Sequence, residues 1–326
     1  MRRREFIAAL GGAAAAWPLA ALAQQNDRIR RIGVLIAGPS GRDAESQLRM
    51  AAFRGGLETL GWIEGRNMHM DIRFDSAERL RSSATELVQM RPDVIFAGNG
   101  AAMVALREAT NTLPTVFAQV TDPIGLKFVE SIARPGGNST GFAMYEYGVA
   151  AKWVEILREI APRTACIGVI YDELNNAERH LPGLKDALPP DVMLLPISVH
   201  IRSEIETAIE QIASQSNAAL IVLPGPLAAG NYELIVSLAI KRRLPLFYPY
   251  HYFASAGGLV SYGPDIVDQY RLAASYVDRI LRGEKPAELP VQFSTRYTLS
   301  INLKTAKALG LSIPESYLLR ADRVIE

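Results

Sequence analysis

From residue 28 onward, short β-branched runs alternate with amphipathic segments and turn residues. The run R-I-G-V-L-I-A at 31–37 reads as a strand ending at Gly38, and Met50, Phe53, Leu57 and Leu60 then share one helical face before Gly61 stops the helix. The rhythm repeats with a strand at 68–74, a helix at 78–90, a strand at 93–97, a helix at 101–110 and a strand at 114–120. Strands that are apolar along nearly their whole length have no face to leave in water. With helical crossovers between them they predict a parallel sheet covered on both sides.

A second series follows. Ala150, Val154, Leu157 and Ala161 form one helical stripe that Pro162 closes, and a strand at 166–171 comes next. The pattern continues with a polar helix at 176–188, a strand at 193–199 and a helix through Ile212 opened by Ser203 and Glu206 as a capping box. A strand at 219–223, a helix at 228–242 and strands at 244–250 and 258–262 complete the set. Ile266, Tyr270, Ala273, Val277 and Leu281 mark a last long helix ended by Gly283, after which Pro286 and Pro290 lead into an extended run at 291–301. A helix and strand left over after two α/β series predict a chain that crosses between lobes more than once. The expected fold class is α/β, with two doubly wound parallel-sheet lobes joined by a hinge of several strands.

Composition narrows the function classes. At 326 residues, 49% hydrophobic and 21% charged, with a mean hydropathy of +0.08, the chain has the size and balance of two ordinary globular domains. Its 35 basic against 34 acidic residues supply no basic face for nucleic acid. One cysteine excludes a disulfide within the chain and any cysteine metal cluster.

The first 23 residues read as an export signal and stand apart from the fold. Arg2, Arg3 and Arg4 begin it, an Ala- and Gly-rich apolar stretch follows, and Ala21-Leu22-Ala23 before Gln24 supplies an A-x-A cleavage site. Arg3-Arg4-x-Phe6 fits the twin-arginine variant, with an ordinary Sec signal as the alternative. No cysteine follows the site, so a lipid anchor is not expected, and no later apolar run has the roughly 20 residues of a membrane span. Removing three Arg and one Glu leaves 32 basic and 33 acidic residues, net −1. The expectation is a soluble periplasmic protein.

Four stretches carry a resemblance: A-F-R-G-G-L-E-T-L-G-W-I-E-G-R-N at 52–67, R-P-G-G-N-S-T-G at 134–141, A-G-G-L-V-S-Y-G at 256–263 and I-N-L-K-T-A-K-A-L-G-L at 301–311. In these, and in their order, the chain from about residue 31 to 326 resembles the ABC-transporter substrate-binding protein family of type I periplasmic-binding fold, which includes tryptophan- and tyrosine-associated uptake proteins. The resemblance implies two lobes closing on a small ligand, delivery to an inner-membrane permease served by a separate ATPase, no catalysis and no cofactor. The lobes are expected at 27–142 plus 263–284 and at 143–262 plus 285–326, in a monomer.

Physical reasoning places the ligand compatibly. In open α/β sheets it lies beyond the carboxyl ends of the strands, where helix N-termini offer free N–H groups and a positive dipole end. The loops there are small: Gly38-Pro39-Ser40, Gly98-Asn99-Gly100 and Thr121-Asp122-Pro123. With the family pattern carried over position by position, ligand contacts are expected at Ser40, Asn99, Gly100, Thr121 and Asp122. Each also has a structural alternative. Asp122 before Pro123 is a good N-cap with proline at the first helical position, and Gly98, Gly100 and Ser40 suit turns.

The opposite rim is expected from Tyr171-Asp172-Glu173, Leu223-Pro224-Gly225-Pro226 and the cluster Tyr248, Tyr250, His251, Tyr252, with Tyr262 beyond. Similar proteins often carry an Asn-Pro-x-Asn-Pro type loop where this sequence has D-E-L-N-N at 172–176, which leaves the ligand open. The two acids either face an ammonium group or lie in solvent. Tyr248 and Tyr250 either face ligand or pack, since the two-residue period buries half of a strand. From this rim Tyr171, Asp172, Gly225, Tyr250 and Tyr262 are the candidate contacts, and the ligand is expected to be a small amino acid-like or aromatic carboxylate.

Enzymatic features are not expected. His69, His180, His200 and His251 lack a metal-ligand spacing, no H-E-x-x-H or G-x-S-x-G occurs, and G-V-L-I-A-G-P-S-G at 33–41 lacks the dinucleotide spacing. Cys166 amid Ala165, Ile167 and Val169 reads as an inert buried thiol. The sequon Asn138-Ser139-Thr140 carries no weight beside a bacterial-looking leader. A ligand-binding partner of a sensor kinase or chemoreceptor, and an exported α/β enzyme, are the alternative functions.

Overall fold

The computed structural model describes residues 28–38, 41, 43–144, 148–172 and 177–326, so the leader, Ser40 and residues 173–176 lie outside the described residues. The first lobe opens with β1 (Arg30–Ala37), α1 (Ala44–Thr59), β2 (Met68–Asp75), α2 (Ala77–Gln89), β3 (Val94–Ala97), α3 (Gly100–Ala109), β4 (Thr115–Val120) and β5 (Ser139–Ala143). The chain then crosses into α4 (Val149–Ile160), β6 (Cys166–Tyr171), α5 (His180–Ala187), β7 (Met193–Ser198), α6 (Arg202–Ala213) and β8 (Ala218–Val222). It continues through α7 (Pro226–Gly230), α8 (Tyr232–Lys241), β9 (Leu246–Tyr248), α9 (His251–Ser255) and β10 (Val260–Pro264). Last come α10 (Ile266–Leu281), β11 (Gln292–Phe293), β12 (Tyr297–Asn302), α11 (Leu303–Leu309), α12 (Glu315–Leu318) and β13 (Arg323–Ile325).

Two sheets result, ordered β11-β5-β4-β3-β1-β2 and β13-β12-β10-β9-β8-β6-β7. Among the described strands the pairings are parallel except β10 with β12. Both faces of each sheet are covered, as the continuous apolar strands require. One apolar cluster runs through both lobes, from Phe53, Phe96 and Tyr270 to Trp153, Phe247 and Ile301, and each outer face has its own cluster. Phe53 on α1 stacks on Phe96 of β3 at 4.4 Å and Tyr270 of α10 meets Phe96 edge-on at 5.0 Å. Burying each such ring stabilises the lobe by roughly 2 to 3 kcal/mol.

The chain crosses between lobes three times, after β5, between β10 and α10, and between β11 and β12. The sequence assigns 285–326 to the second lobe, but β11 pairs with β5 of the first, Gln292 opposite Phe142, so the last crossing falls at 294–296. The extended run expected at 291–301 is therefore two strands in two sheets. Gln269, 1% exposed, ties the crossings together: its amide nitrogen donates to the Ala143 carbonyl at 3.0 Å and the Ser294 hydroxyl at 2.6 Å, and its oxygen accepts the Gln119 N–H at 3.1 Å.

Three local expectations are corrected. The helix expected at 228–242 is two helices that meet at Asn231. The Ser203–Glu206 capping box does not form, since α6 starts two residues early with Ile201 at the cap and Glu204 instead accepts the His200 N–H at 2.7 Å. The strand expected at 244–250 stops at Tyr248, so Tyr250 leaves the strand and caps α9.

Candidate functional site

Parallel strands end at one edge of their sheet, and the two edges face each other here. On the first rim stand Ala37 and Gly38 after β1, Gly98 to Gly100 after β3, and Thr121 and Asp122 after β4; on the second, Tyr171 and Asp172 after β6, Gly225 after β8, and Tyr250 to Tyr252 after β9. Contacts among the described residues join them. The Arg179 Nε lies 3.0 Å from Asp122 Oδ2, His251 Nε2 lies 3.3 Å from Glu45 Oε2, and the Tyr250 hydroxyl donates to Met144 Sδ at 3.0 Å.

Asn99, an expected ligand contact, is occupied by the fold. Its Oδ1 accepts the N–H of Ala102, capping α3, and of Ala37, while its amide donates to the Ala37 carbonyl at 2.7 Å. Its side chain therefore positions the rim. Gly98 is a close approach, because its carbonyl accepts the Tyr270 hydroxyl at 2.9 Å and an added Cβ would stand 2.4 Å from that oxygen. Gly100, the first residue of α3, belongs to the turn whose N–H groups lack helical partners. Thr121 is buried, its hydroxyl 3.9 Å from Met144 Sδ.

Asp122 is 4% exposed and holds partners on both carboxylate oxygens. Its Oδ1 accepts the Gly125 N–H at 2.8 Å, capping a turn at 123–127 where a helix was expected, and its Oδ2 faces Arg179 across the cleft. Beside it His180 is fully enclosed; burial pushes its imidazole down to about 4, against the pull of the Asp122 charge. The ring is therefore neutral at pH 7.

On the second rim Asp172 is buried rather than solvated. Its Oδ2 accepts the Leu227 N–H at 3.2 Å, at the start of α7, and Gly225 exists as glycine because a Cβ there would lie 2.0 Å from that oxygen. Tyr171 ends β6, half-buried. Tyr250 stands in an aromatic wall, its ring 5.3 Å from Tyr248 and 5.7 Å from Tyr252. Tyr248 is wholly buried and stacks on Phe253 at 3.6 Å, so packing claims that member of the pair. Burial raises the phenol of Tyr250 far above its usual range and pushes those of Tyr252 and Tyr270 up to about 12, so the wall is neutral. Tyr262 lies elsewhere: it stacks on Tyr297 at 5.4 Å and lines a 220 Å³ pocket at the crossings with Val149, Lys152, Phe293 and Ser294.

The charged residues of the rims carry no signal in the sequence pattern. Arg179 and Glu45 are ordinary helix-flank charges by pattern, and Arg49 sits one turn after Glu45 on α1. His251 Nδ1 faces Arg323 Nη1 at 3.1 Å, which assigns its proton to Nε2, toward Glu45. That hydrogen bond holds the Glu45 carboxyl below the usual carboxylate range, with the Arg49 charge assisting. Among the described residues no three His, Cys, Asp or Glu are grouped to hold a metal ion, and no helix is long and apolar enough to cross a membrane.

A family model described as "ABC transporter substrate binding protein" matches residues 34–325. A tyrosine-binding protein of Clostridioides difficile (strain R20291) is 26% identical over 265 residues, covering 79% of this chain and 75% of the relative. Among solved structures, an ABC domain of Streptococcus pneumoniae in complex with L-Trp superposes with a TM-score of 0.82 at 26% identity, over 91% of this chain and all of that one. A conserved domain protein of Vibrio cholerae superposes equally well, TM-score 0.82 at 27% identity, over 91% of this chain and 100% of its own.

Proposed function

Since the chain belongs to the ABC transporter substrate-binding protein family, we propose that it captures an aromatic amino acid between its lobes and presents the closed form to a membrane permease driven by a separate ATPase. The observation that supports the reading is a buried carboxylate, Asp122, on one rim together with a neutral group of packed tyrosines on the other. An ammonium group pairs with Asp122, an aromatic ring lies against Tyr250, and a carboxylate sits among the rim donors. The L-Trp and tyrosine ligands of the two relatives support the same chemistry. The ligand's differential affinity for the closed state sets how far closure proceeds. In this reading the lobes are 28–143 with 265–293, and 148–264 with 297–326, and the chain works outside the inner membrane after its leader is removed.

Thermal shift and calorimetry on the purified protein test this. At 100 times Kd, L-tryptophan or L-tyrosine is expected to add about 2.7 kcal/mol of stability, roughly 5 to 10 °C in Tm. Stabilisation by sugars or metal ions alone rejects the reading.

A further inference from the structure

Arg49 is the strangest residue in the cleft. It continues the stripe of α1 that carries Phe53, four residues on, into the shared core, and so it stands where the helix face passes from core to rim. Its side chain is 19% exposed and its Nε is enclosed, with no hydrogen-bond acceptor among the described residues. The Glu45 carboxylate reaches its Nη2 only at 4.0 Å, at the limit of ion pairing, and the same oxygen lies 3.3 Å from His251, so Arg49 has a distant anion but no direct acceptor for its Nε. Asp43 is spent on the Ser46 N–H at the helix cap. A cation with an unfilled, enclosed donor is costly to keep unless something anionic arrives to fill it.

Apart from Glu45 and Asp43, the groups its charge acts on are neutral and aromatic. The Arg49 charge acts on the hydroxyls of Tyr250, Tyr252 and Tyr270, each of which burial keeps protonated. None of these brings a negative charge. We propose that Arg49 is the residue that receives the ligand's carboxylate and selects for it, its Nε and Nη donors pairing with the carboxylate oxygens in the fork geometry that guanidinium allows. Asp122, near the other end of the first rim, takes the ammonium, so the ligand must carry both charges on one aromatic body. This assignment rests on the amino-acid reading above and adds to it the residue that separates an amino acid from its amine.

The test is calorimetry with L-tyrosine, L-tryptophan and their decarboxylated amines, tyramine and tryptamine, on the wild-type protein, Arg49→Gln and Arg49→Lys. The wild type is expected to prefer each acid over its amine by about 50-fold or more, the scale of a buried charge-assisted bond. Arg49→Gln is expected to weaken the acids by about the same factor and leave the amines within about threefold, so that the preference collapses; Arg49→Lys restores part of it. The unliganded Arg49→Gln protein is expected to melt at or above the wild-type temperature, because an unfilled buried cation is gone. Equal weakening of acids and amines, or a preference that survives Arg49→Gln, overturns this assignment while leaving the amino-acid reading intact. A wild-type protein that binds none of the four compounds overturns both.

Discussion

Calorimetry of the Asp122→Asn protein is expected to show affinity for L-tryptophan and L-tyrosine lowered about a hundredfold, some 2.7 kcal/mol, with little change in the Tm of the unliganded protein. The asparagine keeps an oxygen for the Gly125 N–H, so the turn at 123–127 stays capped. What it loses is the charge. In the structure that charge faces Arg179, whose side chain is 49% exposed, and an exposed partner adds little stability. In the bound state the same charge, itself buried, meets the ligand's ammonium where water is excluded, and removing one member of such a pair leaves the other unpaired. A drop in Tm with unchanged affinity would make Asp122 a cap and nothing more.

Trp153→Ala is expected to cost about 3 to 5 kcal/mol of stability and to lower Tm by roughly 10 °C in a calorimetric scan. Trp153 is fully buried, its ring 5.5 Å from His180 and 5.9 Å from Phe247, and its Nε1–H donates to the Tyr262 carbonyl at 3.1 Å. It thus packs α4, α5 and β9 against the strand that leads into the second crossing. Alanine leaves both a cavity and a carbonyl without its donor. A loss below about 1 kcal/mol would mean that the site collapses onto the space, and that the second lobe does not depend on this ring.

Much of the fold is legible in the sequence because its strands are apolar runs between turn residues, and that signal needs no tertiary knowledge. Cys166 to Tyr171 is such a run, and it forms β6 with the bounds the pattern gives. β5 escapes the pattern because Asn138-Ser139-Thr140-Gly141 reads as a turn, while in the sheet Ser139 and Thr140 are buried opposite Thr115 and Val116. The division of 291–301 between two sheets is equally invisible, since local sequence cannot say which sheet a short strand joins. At the site, position is legible and chemistry less so. The rule that ligands lie beyond strand carboxyl ends locates both rims, but Asn99 is a cap whose polar atoms the fold consumes, and Tyr262 packs at the crossings. Arg49 is missed because one arginine on an amphipathic helix is indistinguishable from a solvated one until its neighbours are placed.

In the proposed mechanism the two rims grip a solute and part again without it. Small-angle X-ray scattering of the protein with and without saturating L-tryptophan or L-tyrosine measures this directly. The radius of gyration is expected to fall on binding, toward that of the arrangement in which the two rims meet and His251 reaches Glu45. An unchanged radius in a sample that calorimetry shows to be saturated would contradict it.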